Sequence, residues 1–145
     1  MNLSIRPVLL KDAETLAKLS GQLGYATRPQ LMEERIRLVL KNPDHKGFVA
    51  EANGMVLGWI HAVYSLRLES DPFVEIGGLV VNQNNRNQGI GKLLVHTAIA
   101  WAKTVHCRTV RVRSNVVRAE SHRFYEALGF EVIKDQKILD LKLPA

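Results

Sequence analysis

The stretch EIGGLVVNQNNRNQGIGKLL, Glu75–Leu94, decides the fold. It begins inside an apolar run, Phe73–Val81, whose one charged residue is Glu75 and whose middle is Gly77-Gly78, and this reads as a buried strand. A polar loop, Asn82–Gln88, follows. A helix then opens at Gly89 and runs to Thr104, with Ile90, Leu93, Leu94, Thr97, Ala98 and Trp101 at helical spacing and Val95 and Ile99 widening the stripe. Gly89 and Gly91 let a ligand approach the backbone closely. The first-turn N–H groups lack intrahelical acceptors and stand at the positive end of the helix dipole, so the unit forms an anion site. Arg86 adds a charged donor, and a diphosphate matches the site in charge and size.

Two commoner phosphate motifs do not fit. A P-loop needs Gly-x-x-x-x-Gly-Lys-Ser/Thr, but Gly91-Lys92 is followed by Leu93 and the first glycine position holds Arg86. A dinucleotide fingerprint needs a third glycine, and Gly89-Ile90-Gly91 is followed by Lys92, Leu93 and Leu94.

Working outward, Leu3–Val8 reads as a first strand. A helix follows from Asp12, a natural N-cap, with Leu16, Leu19 and Leu23 on one face. A second helix starts near Thr27, where Thr27 and Gln30 have capping-box spacing and Pro29 sits in the first turn. Its stripe is Met32, Ile36, Val39 and Leu40, and Asn42-Pro43 stops it. Gly47–Ala52 and Met55–Tyr64 flank Asn53-Gly54, a tight-hairpin signal. Beyond Thr104, Arg108–Arg113 reads as a strand, Arg118–Leu128 as a helix closed by Gly129, and Phe130–Ile133 with Lys137–Leu143 as a closing hairpin. The order β-α-α-β-β-β-α-β-α-β-β predicts an α/β (α+β) fold. Its central sheet would be mixed and mostly antiparallel, with six to seven strands and helices on both faces.

The chain's 145 residues suit one domain spanning 1–145. One cysteine, Cys107, allows no intrachain disulfide, and no apolar run approaches membrane-spanning length, so the expected location is cytoplasmic. With 20 basic and 14 acidic residues the net charge is +6, and the surplus lies after position 85, in Arg86, Lys92, Lys103, Arg108, Arg111, Arg113, Arg118 and Arg123. That placement points to an anion bound by the C-terminal half. The aromatic interleaving of a nucleic-acid stacking platform is missing around Arg108, Arg111 and Arg113, and the five histidines lack metal-ligand spacing, so no metal is expected.

Arg86-x-x-Gly89-x-Gly91 directly after Leu79-Val80-Val81 resembles the acetyl-coenzyme A signature of the GNAT superfamily of N-acetyltransferases. A second signature of that family, Phe124-Tyr125-x-x-x-Gly129-Phe130, follows at the matching distance, and the element order is similar along essentially the whole chain. The resemblance implies that the backbone of Leu79, Val80 and Val81 pairs with the pantetheine arm of acetyl-CoA like an added strand. It also implies that N–H groups of Arg86, Asn87, Gln88, Gly89, Ile90, Gly91 and Lys92 cradle the pyrophosphate, and that the sheet splays after Val81. Asn115, Arg118 and Ser121 fall at further cofactor-contact positions, with Arg118 a candidate for the ribose 3′-phosphate. The chain departs from many members in carrying Gln83 for Pro, Asn87 for Gly, and Arg118 and Ser121 for Asn and Ala. Dimers are common in similar proteins.

Amine attack on a thioester needs a neutral amine, and a lysine-like amine has an ordinary pKa of about 10.4. Glu75 is the candidate base. It shares strand parity with Gly77, Leu79 and Val81, which would put it on the side of the cofactor-pairing residues, and a carboxylate at the equivalent position serves in some relatives. Its alternative is an ion pair with Arg111 or Arg113. Tyr125 matches the family tyrosine that protonates the leaving thiolate. The acceptor pocket of such proteins draws on the first two helices, their connection and the segment before the cofactor strand, here including Tyr25, Glu69, Asp71 and Glu75, whose acids suit a cationic amine. The readings, in order, are an acetyltransferase acting on a small-molecule or protein amine, a non-catalytic acyl-CoA-binding module, and a small basic nucleic-acid-binding domain.

Overall fold

A computed structural model describes residues 2–114 and 119–145. The chain forms two compact units, Met1–Arg113 and Ser114–Ala145.

The first unit is built on a five-stranded sheet: β1 (Leu3–Pro7), β2 (His45–Ala52), β3 (Met55–Ser65), β4 (Phe73–Val81) and β5 (Val110–Val112), in that spatial order. β1 to β4 pair antiparallel, whereas β5 runs parallel to β4. The β2–β3 turn is formed by Asn53 and Gly54, both at positive φ (53° and 76°), the backbone that an Asn-Gly pair adopts with little strain.

Helices cover both faces. On one face α1 (Ala13–Gly21) and α2 (Pro29–Lys41) lay Ala13, Leu16, Ala17, Met32 and Ile36 against Val8, Val49 and Trp59. On the other lies α3 (Ile90–Thr104), with Leu94, Val95 and Ala98 fully buried. β3 touches this helix closely: a Cβ added to Gly58 would lie 2.9 Å from the Val80 carbonyl, 3.2 Å from Ile90 and 3.3 Å from Leu94.

The capping residues differ from the sequence expectation. Asp12 occupies the N-cap position of α1, but its carboxylate turns back to accept the Leu9 N–H (2.8 Å) and a bidentate pair from Arg6 (2.8 Å each). The cap of α2 is Arg28 rather than Thr27, with Pro29 opening the helix. Thr27 instead donates to the Tyr25 carbonyl.

The second unit holds α4 (Ala119–Ala127), ended by Gly129 at φ 98°, with Phe130 N–H returning to the Tyr125 carbonyl. The closing hairpin is a correction. Phe130–Ile133 and Lys137–Leu143 carry no strand, and Val132, Ile133, Ile138, Leu139, Leu141 and Leu143 are exposed, so among the described residues the sheet has five strands where the pattern suggests six to seven. Apolar alternation marks a strand's two faces but not its hydrogen-bonding partner. Among the described residues no helix is long and apolar enough to cross a membrane.

Candidate active site

β4 is the axis of the site. It pairs with β3 along its length, but with β5 only over Val74, Glu75 and Ile76. From Gly77 to Val81 its second edge has no strand partner among the described residues, so the sheet opens at Gly77 and not after Val81. An unpaired edge of this length offers N–H and C=O groups to an extended ligand.

Gly77 is also a β-bulge. His61 pairs with Gly78 and the next residue, Ala62, pairs with Ile76, leaving Gly77 as the extra residue. The bulge inverts the alternation. Glu75, Gly78 and Val80 oppose Val63, His61 and Trp59 on the α1–α2 face, whereas Ile76, Leu79 and Val81 oppose Ala62, Ile60 and Gly58 on the α3 face. Glu75 therefore does not share a face with Leu79 and Val81 as simple parity predicted. It faces the side of the first two helices.

Two pairs of side chains flank the bulge. Glu75 Oε1 lies 3.2 Å from Arg113 Nη2, the ion pair that was the alternative to a free base. With 38% of the Arg113 side chain exposed, the pair contributes at most about 1 kcal/mol. On the same face His45 Nδ1 and His61 Nε2 lie 2.8 Å apart with their rings stacked, centroids 5.1 Å apart and 16° from parallel. Burial and then the adjacent His45 push the His61 imidazole below its ordinary 6.5. His61 Nδ1 stands 2.9 Å from where a Gly77 Cβ would be, so glycine is needed beneath the ring.

At its other end β4 runs into the loop, Asn82–Gln88, that the sequence pattern assigns to an anion. A single 3₁₀ turn, Gln83–Asn85, is capped by Asn82, whose side chain accepts the Asn84 N–H. Asn87 (φ 62°) and Gly89 (φ 81°) are left-handed, the conformation that makes Asn87 an acceptable replacement for glycine. Arg86, Asn87, Gln88, Gly89 and Lys92 are exposed, and Ile90 is buried beneath them. The loop is tied to the end of α1: Gln22 accepts the Gln83 N–H (2.9 Å) and donates to Asn82 (3.4 Å). Sequence reasoning missed Gln22 and the histidine pair, because both depend on chain crossings rather than spacing.

The remaining candidates divide. Leu79 and Val81 are half-buried and Val80 is buried, leaving backbone as their contribution. Tyr25 lies exposed in the α1–α2 connection. Glu69 and Asp71 are exposed in the β3–β4 connection, at the opposite end of β4 from the anion loop, about 26 Å away along an extended strand. Asn115 and Arg118 lie outside the described residues. Ser121 and Tyr125 are on α4, both half-buried. The Tyr125 ring meets Phe124 and Phe130 edge-on, at 5.0 and 5.3 Å, and burial pushes its hydroxyl up to about 12. Cys107 is buried, and burial raises its thiol pKa, as for a packing residue. Arg111 lies over the Phe73 ring at 4.1 Å, so with Arg113 two of the clustered bases are engaged inside the unit.

The sequence pattern of the Acetyltransferase (GNAT) family matches residues 12–130. The chain belongs to the GNAT family. Among curated GNAT relatives, N-acetylaspartate synthetase of Xenopus tropicalis is 30% identical over 92 residues, 63% of this chain and 33% of that protein. Aminoglycoside N(6′)-acetyltransferase type 1 of Salmonella typhimurium is 29% identical over 93 residues, 61% of this chain and 64% of that protein. The chain thus spans between a third and just under two thirds of these relatives. The fold is shared with the structure of AAC(6′)-Iy in complex with a bisubstrate analogue, CoA-S-monomethyl-acetylneamine (TM-score 0.86, 21% identity, covering 99% of this chain and 100% of that one).

Proposed function

We propose that this chain is an N-acetyltransferase that moves an acetyl group from acetyl-CoA directly to a primary amine in a ternary complex. The observation that carries the reading is the edge of β4 from Gly77 to Val81, which has no strand partner among the described residues and runs into an exposed left-handed loop at the head of α3. An extended pantetheine arm fits the first feature and a pyrophosphate the second. The CoA portion of the ligand bound to AAC(6′)-Iy supports acetyl-CoA as donor, and the aminoglycoside-acetylating relatives support a small-molecule amine as acceptor. Residues 1–145 act as one domain on this reading, since the family match crosses both compact units. A cytoplasmic location suits the unpaired Cys107 thiol.

The chemistry balances without further reactants. The neutral amine nitrogen attacks the thioester carbonyl carbon, the C–N bond forms and the C–S bond breaks. The amine gives up a proton to a base, the leaving thiolate takes one from the Tyr125 hydroxyl, which is protonated at neutral pH, and the tyrosinate regains a proton from solvent as the base releases its own. N–H groups of Arg86 through Lys92 hold the pyrophosphate, with Asn115, Arg118 and Ser121 as further contacts. Glu75, fixed by Arg113, draws the cationic acceptor to the α1–α2 face, and Tyr25, Glu69 and Asp71 extend the acceptor side. Orientation of the two substrates supplies much of the rate.

The test is calorimetric titration with acetyl-CoA beside ATP, followed by thiol release with a panel of amines. One-to-one binding tighter than for ATP, lost in Gly91→Glu, is the expected result. Unchanged affinity in Gly91→Glu removes the loop assignment. Tight binding with no thiol release from any amine favours a non-catalytic acyl-CoA-binding module.

A further inference from the structure

The base is the least satisfied part of that reaction. Glu75 is engaged by Arg113. Beside it stands the one described pair of side chains joined nitrogen to nitrogen: His45 at the start of β2 and His61 in the middle of β3. The two sit diagonally across the sheet, since His45 opposes Val63 and His61 opposes Gly47, and both point to the α1–α2 face.

Either nitrogen of the pair can carry the shared hydrogen, and one of the two tautomers frees a lone pair toward β4. A distance of 2.8 Å between His45 Nδ1 and His61 Nε2 requires one hydrogen between them. With that hydrogen on His61 Nε2, the lone pair of His61 is on Nδ1, the atom that stands over Gly77. Gly77 is exposed and begins the stretch of β4 edge that has no strand partner among the described residues, so the lone pair lies beside the groove assigned to the donor and on the face assigned to the acceptor. Titratable groups facing His61 across the sheet are His45 from β2 and Glu75 from β4, the latter bound to Arg113. Asp44 and Lys46, on either side of His45, are exposed, and the helices on this face turn Leu16, Ala17, Met32 and Ile36 to it.

We infer that His61 accepts the proton of the attacking amine at Nδ1 and passes its Nε2 proton to Nδ1 of His45, which releases a proton to solvent. This rests on the acetyl-transfer reading above. The step conserves protons: one leaves the amine nitrogen, one crosses the His61–His45 hydrogen bond, and one leaves Nε2 of His45 for water, after which exchange with solvent returns both imidazoles from the Nδ1–H to the starting tautomer. Glu75 then anchors the cation rather than taking its proton.

The experiment compares wild type, His61→Gln, His45→Gln and Glu75→Gln by the pH dependence of kcat/KM, with NMR titration of the imidazoles and acetyl-CoA affinity on the same samples. In wild type the acid limb should follow the His61 midpoint. His61→Gln should bind acetyl-CoA as wild type does, lose that limb and fall about 100-fold in rate. His45→Gln should keep the limb but move it to higher pH, because the neighbouring imidazole lowers the His61 midpoint. Glu75→Gln should raise KM for the amine and leave the limb in place. Wild-type turnover in His61→Gln, or a limb lost in Glu75→Gln alone, overturns the relay while leaving acetyl transfer intact. Tight acetyl-CoA binding with no wild-type turnover overturns both.

Discussion

The Gln22 side-chain carbonyl accepts the backbone N–H of Gln83 at 2.9 Å, joining the end of α1 to the loop that follows β4. The same amide reaches Asn82, which itself caps the 3₁₀ turn of that loop. Gln22 thus holds the anion loop from outside it. Losing a hydrogen bond of this kind removes about 1 kcal/mol, a factor of about five in an equilibrium constant. Gln22→Ala should therefore weaken acetyl-CoA binding about fivefold by calorimetry, with kcat nearly unchanged. A kcat loss at unchanged affinity would place Gln22 in the acceptor pocket instead.

Gly58 marks a close approach of β3, β4 and α3. The nearest neighbour of an added methyl is the Val80 carbonyl, 2.9 Å away, and backbone cannot swing aside as a side-chain tip can. Gly58→Ala should destabilise by about 1–3 kcal/mol, lowering the thermal midpoint by roughly 3–10 °C. Since the methyl also presses on Ile90, the first residue of α3, acetyl-CoA affinity should fall with it. An unchanged midpoint would mean that α3 separates from the sheet at no cost.

Much of the backbone that carries the candidate site is legible in the sequence because it is local. Strand, loop and helix from Phe73 to Thr104 follow from apolar periodicity and from Asn87 and Gly89, whose left-handed backbone their residue types announce. The Asn53-Gly54 hairpin is legible for the same reason. What was hidden is relational. A bulge at Gly77 is a property of two strands, and it reverses the face on which Glu75 lies. The His45–His61 contact joins residues 16 apart, and Gln22–Gln83 residues 61 apart, so neither has a spacing to recognise. Leu139, Leu141 and Leu143 alternate as a strand does, yet alternation names no partner, and they remain exposed.

Asp12 offers a test of stability away from the site. Burial alone would raise its carboxyl, but the Arg6 hydrogen bonds, the Leu9 N–H and the Arg6 charge together carry it below its ordinary value of 3.8. A depressed carboxyl contributes fully above its unfolded-state pKa and loses that contribution as pH falls through the folded value. Asp12→Asn should therefore show a flatter decline of urea-unfolding stability below about pH 4 than wild type. At pH 7 Asp12→Ala should cost about 2–3 kcal/mol, less than a fully buried pair, because Arg6 keeps 22% exposure and can be solvated. Parallel acid profiles in wild type and Asp12→Asn would assign the acid sensitivity to other groups.

Tyr125 carries two consequences of one cause. Burial raises its hydroxyl from 10.0 to about 12, and at neutral pH the hydroxyl carries the proton that the proposed donation to the thiolate requires. Tyr125→Phe should lower kcat by about 100-fold with acetyl-CoA affinity within twofold, the pattern of a group that acts in the transition state. The same shift fixes the sign of an alkaline effect. The unfolded chain loses this proton near pH 10.0 and the folded chain near 12, so the stability from burying the neutral ring is complete below 10 and disappears as pH rises between the two. Two pKa units set an upper limit of about 3 kcal/mol. Across that window the thermal midpoint of wild type should fall faster than that of Tyr125→Phe. Unchanged turnover would remove Tyr125 from the reaction, whereas matching alkaline slopes would mean that its hydroxyl is solvated in the folded chain.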